Sequence, residues 1–430
     1  MGLVDIAVVG RVGTEVLAPV SLANSIFFAV TVSASGLMMG IDPLMSQTVG
    51  AGNTSRARVL LWQGSYLAVA VGALFAVSLM VGPFLLPLFG VTFDGLPHVQ
   101  EYLVWRAPSL PFILLFITAR GYLQAAARTR ALVVAMVVAN VFNLVANLLL
   151  VFGGAGLPAI LGPLRLVPAL GAKGSAIASL ISSVAQWAII GLAVRRIPVP
   201  GGTNIVWPRG PDIIQAFRVG MPIGLHLAAE VGMVAIAGVL AQALGPASIS
   251  AHQIASSLAG FTFTVAMGIG SAGGVRVGWA VGERNTPQAR LSGMMAFISG
   301  AGFMMLSALV FALWPLPLAR MMGAPPEVIP LVVPLLIVSA VFQFSDGVQG
   351  VGAGVLRGAG ETRFTFLANM VGHYMVGLPV ALLLGFHMGL GIVGIWWGLC
   401  AGLTAVALGL FWRFERVSAG TIHPLEQQSF

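Results

Sequence analysis

Long uncharged, mainly apolar runs dominate the chain, with polar residues gathered in short intervals between them. Leu132–Gly153, Leu291–Leu318 and Phe364–Gly385 each reach or exceed the roughly 20 residues that cross a bilayer as a helix. The pattern predicts twelve membrane segments: Met1–Gly10, Val20–Ser46, Leu60–Leu86, Leu103–Gln124, Leu132–Gly153, Ser175–Val194, Met221–Leu244, Ser250–Val281, Gly293–Met322, Ile329–Val355, Phe364–Gly385 and Gly389–Trp412.

The charges between the segments set a topology. The even-numbered connections hold Arg56, Arg58, Arg128, Arg130, Arg195, Arg196, Arg209, Arg218, Arg284, Arg290, Arg357 and Arg363, and the tail adds Arg413 and Arg416. The odd connections hold only Arg11, Arg165, Lys173 and Arg320. Positive loops stay inside, so the even loops and the C-terminus are expected in the cytoplasm, with the N-terminus of the full-length form beside them.

The chain also repeats itself. At an offset of 232 residues Gly13 meets Gly245, Ala23 meets Ala255, Ser25 meets Ser257, and Gly50 meets Gly282. The loop Gly50-Ala51-Gly52-Asn53-Thr54-Ser55-Arg56-Ala57-Arg58 aligns with Gly282-Glu283-Arg284-Asn285-Thr286-Pro287-Gln288-Ala289-Arg290. Composition bias explains shared glycines and alanines, but not Asn-Thr-x-x-Ala-Arg at one offset. The expected architecture is therefore an all-α integral membrane protein of two six-helix lobes, residues 1–197 and 212–413, with a linker at 198–211 and a cytoplasmic tail at 414–430. Both copies of the loop fall on the cytoplasmic side, which implies a pseudo-two-fold axis along the membrane normal and binding between the halves. Nothing pairs with Pro211–Gly232 ahead of Met1, because Met1 aligns with Met233. The first helix is therefore expected to be N-terminally truncated by about twenty residues and half length, since Met1–Gly10 covers only about half the hydrocarbon core.

Composition agrees with the segment pattern and removes other classes. Of the residues 58% are hydrophobic and 8% charged, against about 25% charged in a soluble domain. The net charge of +8 is spread over short loops rather than gathered in a stripe, so no nucleic-acid partner is expected. Cys400 stands alone, no cleavable signal peptide is visible, and the single lysine, Lys173, belongs to no ATP-binding phosphate loop. No cofactor is expected, and no obligatory protein partner beyond the bilayer.

Ionisable groups inside apolar helices are costly and so mark function. Glu230 lies in the seventh segment with His226 one turn before it. Asp346 lies in the tenth, flanked at helical spacing by Gln343 and Gln349. A carboxylate there can carry a proton, or when ionised bind Na⁺ or an organic cation. Glu230 and Asp346 are expected in one aqueous cavity of the second half. Asp5, Asn143 and Asn147 could form a second, oxygen-rich cation site, with Asn140 one turn earlier. The alternative for the asparagines is helix-to-helix glue. Asp42, followed by Pro43, is a helix-end group or a gate. His252 and His373 are lone histidines of the packing type, with His252 kept as a secondary candidate. No spacing resembles a zinc site, and Gly36-x-x-x-Gly40 and Gly350-x-x-x-Gly354 are contact surfaces for close helices.

The first-segment run Gly2-Leu3-Val4-Asp5-Ile6-Ala7-Val8-Val9-Gly10-Arg11, Ser46-Gln47-Thr48-Val49-Gly50-Ala51-Gly52, Val275-Arg276-Val277-Gly278-Trp279-Ala280-Val281-Gly282 and Gly354-Val355-Leu356-Arg357-Gly358-Ala359-Gly360 together resemble the multidrug and toxic compound extrusion (MATE) family. The resemblance covers essentially the whole chain. It implies a V-shaped, two-lobed antiporter of the bacterial inner membrane that exports small organic cations by rocking-type alternating access, driven by an H⁺ or Na⁺ gradient. Glu230 and Asp346 match the acids of the NorM-like branch. Asp5, Asn143 and Asn147 match the first-helix aspartate and fifth-helix asparagines of the DinF-like branch. Where NorM-like proteins carry a tyrosine one turn before the tenth-helix acid, this chain has Phe342, which favours H⁺ over a Na⁺ site using that hydroxyl. The rival readings are a lipid-linked oligosaccharide flippase of the same superfamily and an intramembrane enzyme. The first wants cationic cavity walls, and the charged candidates singled out here, Asp5, Asp42, Glu230 and Asp346, are acidic. The second wants a nucleophile with a base, or a metal motif, at one depth, and none stands out.

Overall fold

The computed structural model describes residues 5, 8, 14–90, 93–154, 165–199 and 205–427. The half-length first helix expected over Met1–Gly10 lies outside the described residues apart from Asp5 and Val8, as does part of the linker. Among the described residues there is no strand. Hydrocarbon offers backbone N–H and C=O groups no partner, and a helix satisfies them within the segment.

The helices are α1 (Thr14–Met38), α2 (Ile41–Gly50), α3 (Thr54–Leu85), α4 (Leu96–Arg106), α5 (Leu110–Ala125), α6 (Arg130–Phe152), α7 (Gly171–Arg195), α8 (Gly210–Ala243), α9 (Pro246–Gly282), α10 (Thr286–Leu313), α11 (Pro315–Met321), α12 (Ile329–Gly358), α13 (Thr362–Asn369), α14 (Leu378–Leu382) and α15 (Gly391–Ala419). Two π-helical stretches, Met370–Gly377 and Leu383–His387, flank α14. They make eleven spans long and apolar enough to cross a membrane among the described residues.

The chain forms two compact units. One holds residues up to Ile41 together with Thr54–Phe217; the other holds Asp42–Asn53 and Arg218–Phe430. The split does not follow the linear halves, because Asp42–Asn53 packs with the second unit. Glycines account for this. A Cβ on Gly50 would strike the backbone of Trp279, one on Gly282 the carbonyl of Gln47, and one on Gly278 the hydroxyl of Ser46. With no side chains between them, α2 and the end of α9 lie backbone to backbone. Gln47 then uses both ends of its amide, donating to the Gly358 carbonyl at 2.9 Å and accepting from the Leu425 N–H at 2.8 Å. Part of the expected cytoplasmic tail is thereby held against the unit, and α15 itself runs on to Ala419.

This contact is reciprocal under the repeat. Ser46 and Gly278 are counterparts at the 232-residue offset and touch each other. Gly50 and Gly282 are counterparts, and each meets the other copy's residue three positions earlier, Trp279 and Gln47.

Within the first unit, Arg58 is buried and donates to the carbonyls of Val194 and Ile197, both at 3.0 Å, at the C-terminal end of α7. A cation there meets the helix's orphan carbonyls and its negative pole. Arg56 grips Asp212 with two bonds of 2.8 and 2.7 Å. The loop arginines that read as topology signals therefore also tie helix ends together.

In the second unit α9 and α12 cross on glycine. A Cβ on Gly270 would lie 2.6 Å from the Gly350 carbonyl oxygen, and Cβ atoms on Gly274, Gly354 and Gly358 would overlap backbone atoms of the opposite helix. The contact surface expected at Gly350-x-x-x-Gly354 is thus one end of a longer seam.

Candidate functional site

The spacing of His226 and Glu230 puts both on one face of α8. The His226 Nε2 lies 3.6 Å from Glu230 Oε2. The other ring nitrogen, Nδ1, lies 3.2 Å from the carbonyl oxygen of Thr365 on α13. A carbonyl only accepts, so Nδ1 carries the hydrogen and a neutral His226 turns the Nε2 lone pair towards Glu230. Across from them the Gln349 amide hydrogen-bonds the Glu230 carboxylate. His226, Glu230, Gln349 and Thr365 line one cavity, walled also by Phe263 and Met267 of α9 and Arg357 of α12.

Asp346 is buried at 5% exposure and interacts electrostatically with Glu230. It is not among the described residues lining that cavity. The two acids are neighbours, but only Glu230 forms part of the wall. Of the glutamines that flank Asp346, Gln349 reaches Glu230, whereas Gln343 exchanges hydrogen bonds with Thr262 on α9, its Nε2 donating at 2.9 Å. The Phe342 ring packs against Trp396, centroids 6.0 Å apart.

The first unit holds a second constellation. Asp5 is 1% exposed. The Asn147 Nδ2 donates to Asp5 Oδ1 at 2.9 Å, and the Ser179 hydroxyl donates to Asp5 Oδ2 at 2.6 Å. Asn143 is one link further out, its Nδ2 donating to the Ser179 Oγ at 3.1 Å. Asp5 and Asn147 are therefore in direct contact, and Asn143 reaches Asp5 through a serine. Among the described residues the buried Oδ1 atoms of both asparagines have no hydrogen-bond partner, and acceptor oxygens beside a carboxylate are what a small cation requires. Asn140 is exposed and donates to the Met136 carbonyl of its own helix, away from this cluster.

The remaining candidates separate. His252 accepts from the Trp396 indole at 3.3 Å and lies 3.4 Å from the Ser256 hydroxyl, a packing role apart from the Glu230 cavity. Asp42 lines a second cavity of the same unit with Ser46, Ser271 and Arg357. Among the described residues no group of three or more His, Cys, Asp or Glu could hold a metal ion.

Ser179, Thr365 and Arg357 escaped sequence reading. Ser175, Ser179 and Ser183 recur every fourth position on α7, which is the signal that could have pointed to a polar face opposite Asn143 and Asn147. Thr365 acts through its backbone, which leaves no signal. Arg357 was read only as a loop charge.

Removing the shortest bond to Asp5 gives a direct test of its weight. Ser179→Ala is expected to destabilise the first unit by about 2 kcal/mol, the range for a buried bond to a charged group, seen as a lower thermal midpoint in detergent. An unchanged midpoint would show that Asp5 does not depend on this hydroxyl.

A family model described as MatE matches residues 1–149 and 222–383. The multidrug resistance protein NorM of Burkholderia vietnamiensis is 31% identical across 98% of this chain and 91% of its own length. The probable multidrug resistance protein NorM of Deinococcus radiodurans is 33% identical across 98% and 92%. Among solved structures, a MATE in the straight conformation superposes with a TM-score of 0.86 at 19% identity, covering 99% of this chain and 92% of that one. The Vibrio cholerae MATE transporter VcmN in the bent form superposes with a TM-score of 0.84 at 21% identity, covering 97% and 92%. Both share the fold.

Proposed function

Because the chain belongs to the MatE family, we propose that it is a secondary antiporter that exports small organic cations from a bacterial cytoplasm in exchange for inward H⁺ or Na⁺. The relatives named as multidrug resistance proteins support drug-like cations as cargo. The observation that carries the coupling is Glu230, a carboxylate on the wall of a cavity inside membrane-spanning helices, with a second acid beside it.

An ionised carboxylate in such a place is expensive unless it is neutralised. Glu230 is therefore stable as the protonated acid or paired with a cation, and the two states exclude each other. The His226 lone pair sharpens this, since it repels a bare carboxylate and accepts from a protonated one. Mutually exclusive occupation by the coupling ion and an organic cation is what antiport needs, and rocking of the two repeats turns it into transport. Phe342, which offers no hydroxyl next to Asp346, favours H⁺. Asp5 with Asn147, Ser179 and Asn143 supplies a second cation site in the other unit. Loop charge sets the orientation, with the even connections and the C-terminus cytoplasmic in the inner membrane.

The test is accumulation of a fluorescent organic cation inside everted vesicles, whose cytoplasmic face is outward, under an imposed pH gradient or an imposed Na⁺ gradient. Accumulation driven by the pH gradient alone is expected. No accumulation under either gradient would reject antiport.

A further inference from the structure

The C-terminal tail makes contacts that the internal repeat does not account for. Past Ala419 the chain leaves α15, and residues 420–424 run on without a helix to a single turn at Leu425–Gln427. Two of its side chains are buried, Ile422 at 6% exposure and Leu425 at 1%. Gly360 makes the seat for Leu425. It has a φ of +88°, and a Cβ there would lie 2.9 Å from the leucine side chain. The near end of the tail is fixed to second-half sequence. Arg413 of α15 donates to the Glu361 carboxylate at 2.9 Å, and the Ile422 N–H donates to the Thr286 hydroxyl at the start of α10 at 3.3 Å. The far end reaches first-half sequence, where the Leu425 N–H donates to the Gln47 side chain on α2 at 2.8 Å. At the 232-residue offset Gln47 corresponds to Trp279. An indole donates and does not accept, so the second copy of the motif cannot reproduce the link.

We propose that this tail is a latch on the cytoplasmic closure: it holds α2 against the second unit and has to release each time the transporter opens to the cytoplasm. This rests on the reading of transport as rocking of the two repeats. Asp42–Asn53 is joined in sequence to the first unit at both ends, after Ile41 and before Thr54, yet packs with the second. Its contact with the end of α9 leads into the second and eighth connections, which loop charge assigns to the cytoplasm. Repeats that rock apart on that side pull on this segment. The close approach at Gly50, Gly278 and Gly282 sets where the two surfaces meet. The latch adds a directional bond and a buried leucine to that contact. One net hydrogen bond is worth about tenfold in an equilibrium constant, and a buried leucine at least as much.

Gln47 suits a part that lets go. Its one amide holds the Gly358 carbonyl and the Leu425 N–H together, so a displacement of α2 breaks both bonds at once. The latch thereby sets how often the protein opens to the cytoplasm, and leaves what it binds there to the site around Glu230.

The experiment uses everted vesicles, whose cytoplasmic face is outward, and a membrane-impermeant maleimide. Thr48→Cys puts a thiol on α2 at a buried position, and Cys400→Ala removes the one natural cysteine. The rate of labelling reads how often the closure opens, with neither cargo nor gradient present. In this background a chain ending at Gly420 is expected to label at least about tenfold faster than the full chain. Leu425→Ala keeps the N–H and leaves α15 untouched. It is expected to label several-fold faster, and it serves as the test should the shortened chain not fold. Full-chain labelling rates in either folded variant would overturn the latch.

A second measurement asks whether the latch has to open. Gln47→Cys and Leu425→Cys, again with Cys400→Ala, are joined by a short bifunctional maleimide that carries a disulfide. Accumulation of a fluorescent organic cation under the pH gradient is expected to stop, and to return when a thiol cuts the linker. Accumulation that continues with the linker intact would show that the contact stays closed throughout transport and would overturn release. A parent protein that accumulates no cation under either gradient would instead reject antiport, and the labelling rates would still decide whether the tail holds the closure.

Discussion

Replacing Glu230 by Gln is expected to reduce gradient-driven efflux to the level of vesicles without the protein, while the protein still inserts and folds. The substitution is nearly isosteric. Its amide can keep a contact with Gln349, and it can donate to His226 Nε2 in place of an acid proton. What it cannot do is change charge. If exchange depends on Glu230 being alternately protonated and paired with an organic cation, nothing smaller than complete loss follows. Asp346→Asn is expected to give the same loss through the electrostatic coupling of the two acids, although Asp346 does not line the cavity. His226→Gln is expected to be milder, slowing exchange without abolishing it, because the histidine orients and biases the carboxylate and carries no net charge of its own in the neutral form. Dye efflux, normalised to protein recovered in the membrane and to its thermal midpoint in detergent, checks all three. Parental efflux in both acid variants would remove the coupling role from Glu230 and Asp346 and turn the search to Asp5 and Asp42.

The second large effect is on folding. Gly354→Ala is expected to cost more than about 3 kcal/mol, at or beyond the upper end for overpacked cores. The new methyl would overlap the Gly270 backbone, and the opposing helix cannot yield as a flexible side chain could. The two helices must separate along the seam, and the packing of Gly274 and Gly358 is lost with it. Gly82→Ala is the matched control. It too lies in a membrane helix, but its Cβ would meet nothing within 4 Å, so it is expected to be neutral or slightly stabilising. Thermal midpoints and the monodisperse fraction on size-exclusion chromatography read both. Equal midpoints for the two variants would mean that the seam tolerates separation.

Much of this protein could be read in its sequence because a bilayer imposes few and strict conditions. A segment must be apolar for about 20 residues, which gave the spans, and a charge inside one must have a reason, which singled out Glu230, Asp346 and Asp5 before any contact was known. The repeat was legible for a related cause. Asn53-Thr54 and Asn285-Thr286 sit in short loops where turn chemistry restricts the residues, so the match survived between helices whose composition is uniform.

What the sequence could not supply was which face of each helix turns to which neighbour. In a soluble helix the apolar stripe marks the buried face, but helices that are apolar all round carry no such mark. Only the tertiary structure decided that Gln343 is occupied by Thr262 while Gln349 reaches Glu230, although both flank Asp346 at helical spacing. It likewise joined Asn143 to Asp5 through Ser179, set His252 against Trp396, and brought Asp42–Asn53 into the second unit. For Asp42–Asn53 the deciding factor was close approach at Gly50, Gly278 and Gly282. Glycine permits contact with any partner backbone and names none, and the choice belongs to the assembled helices.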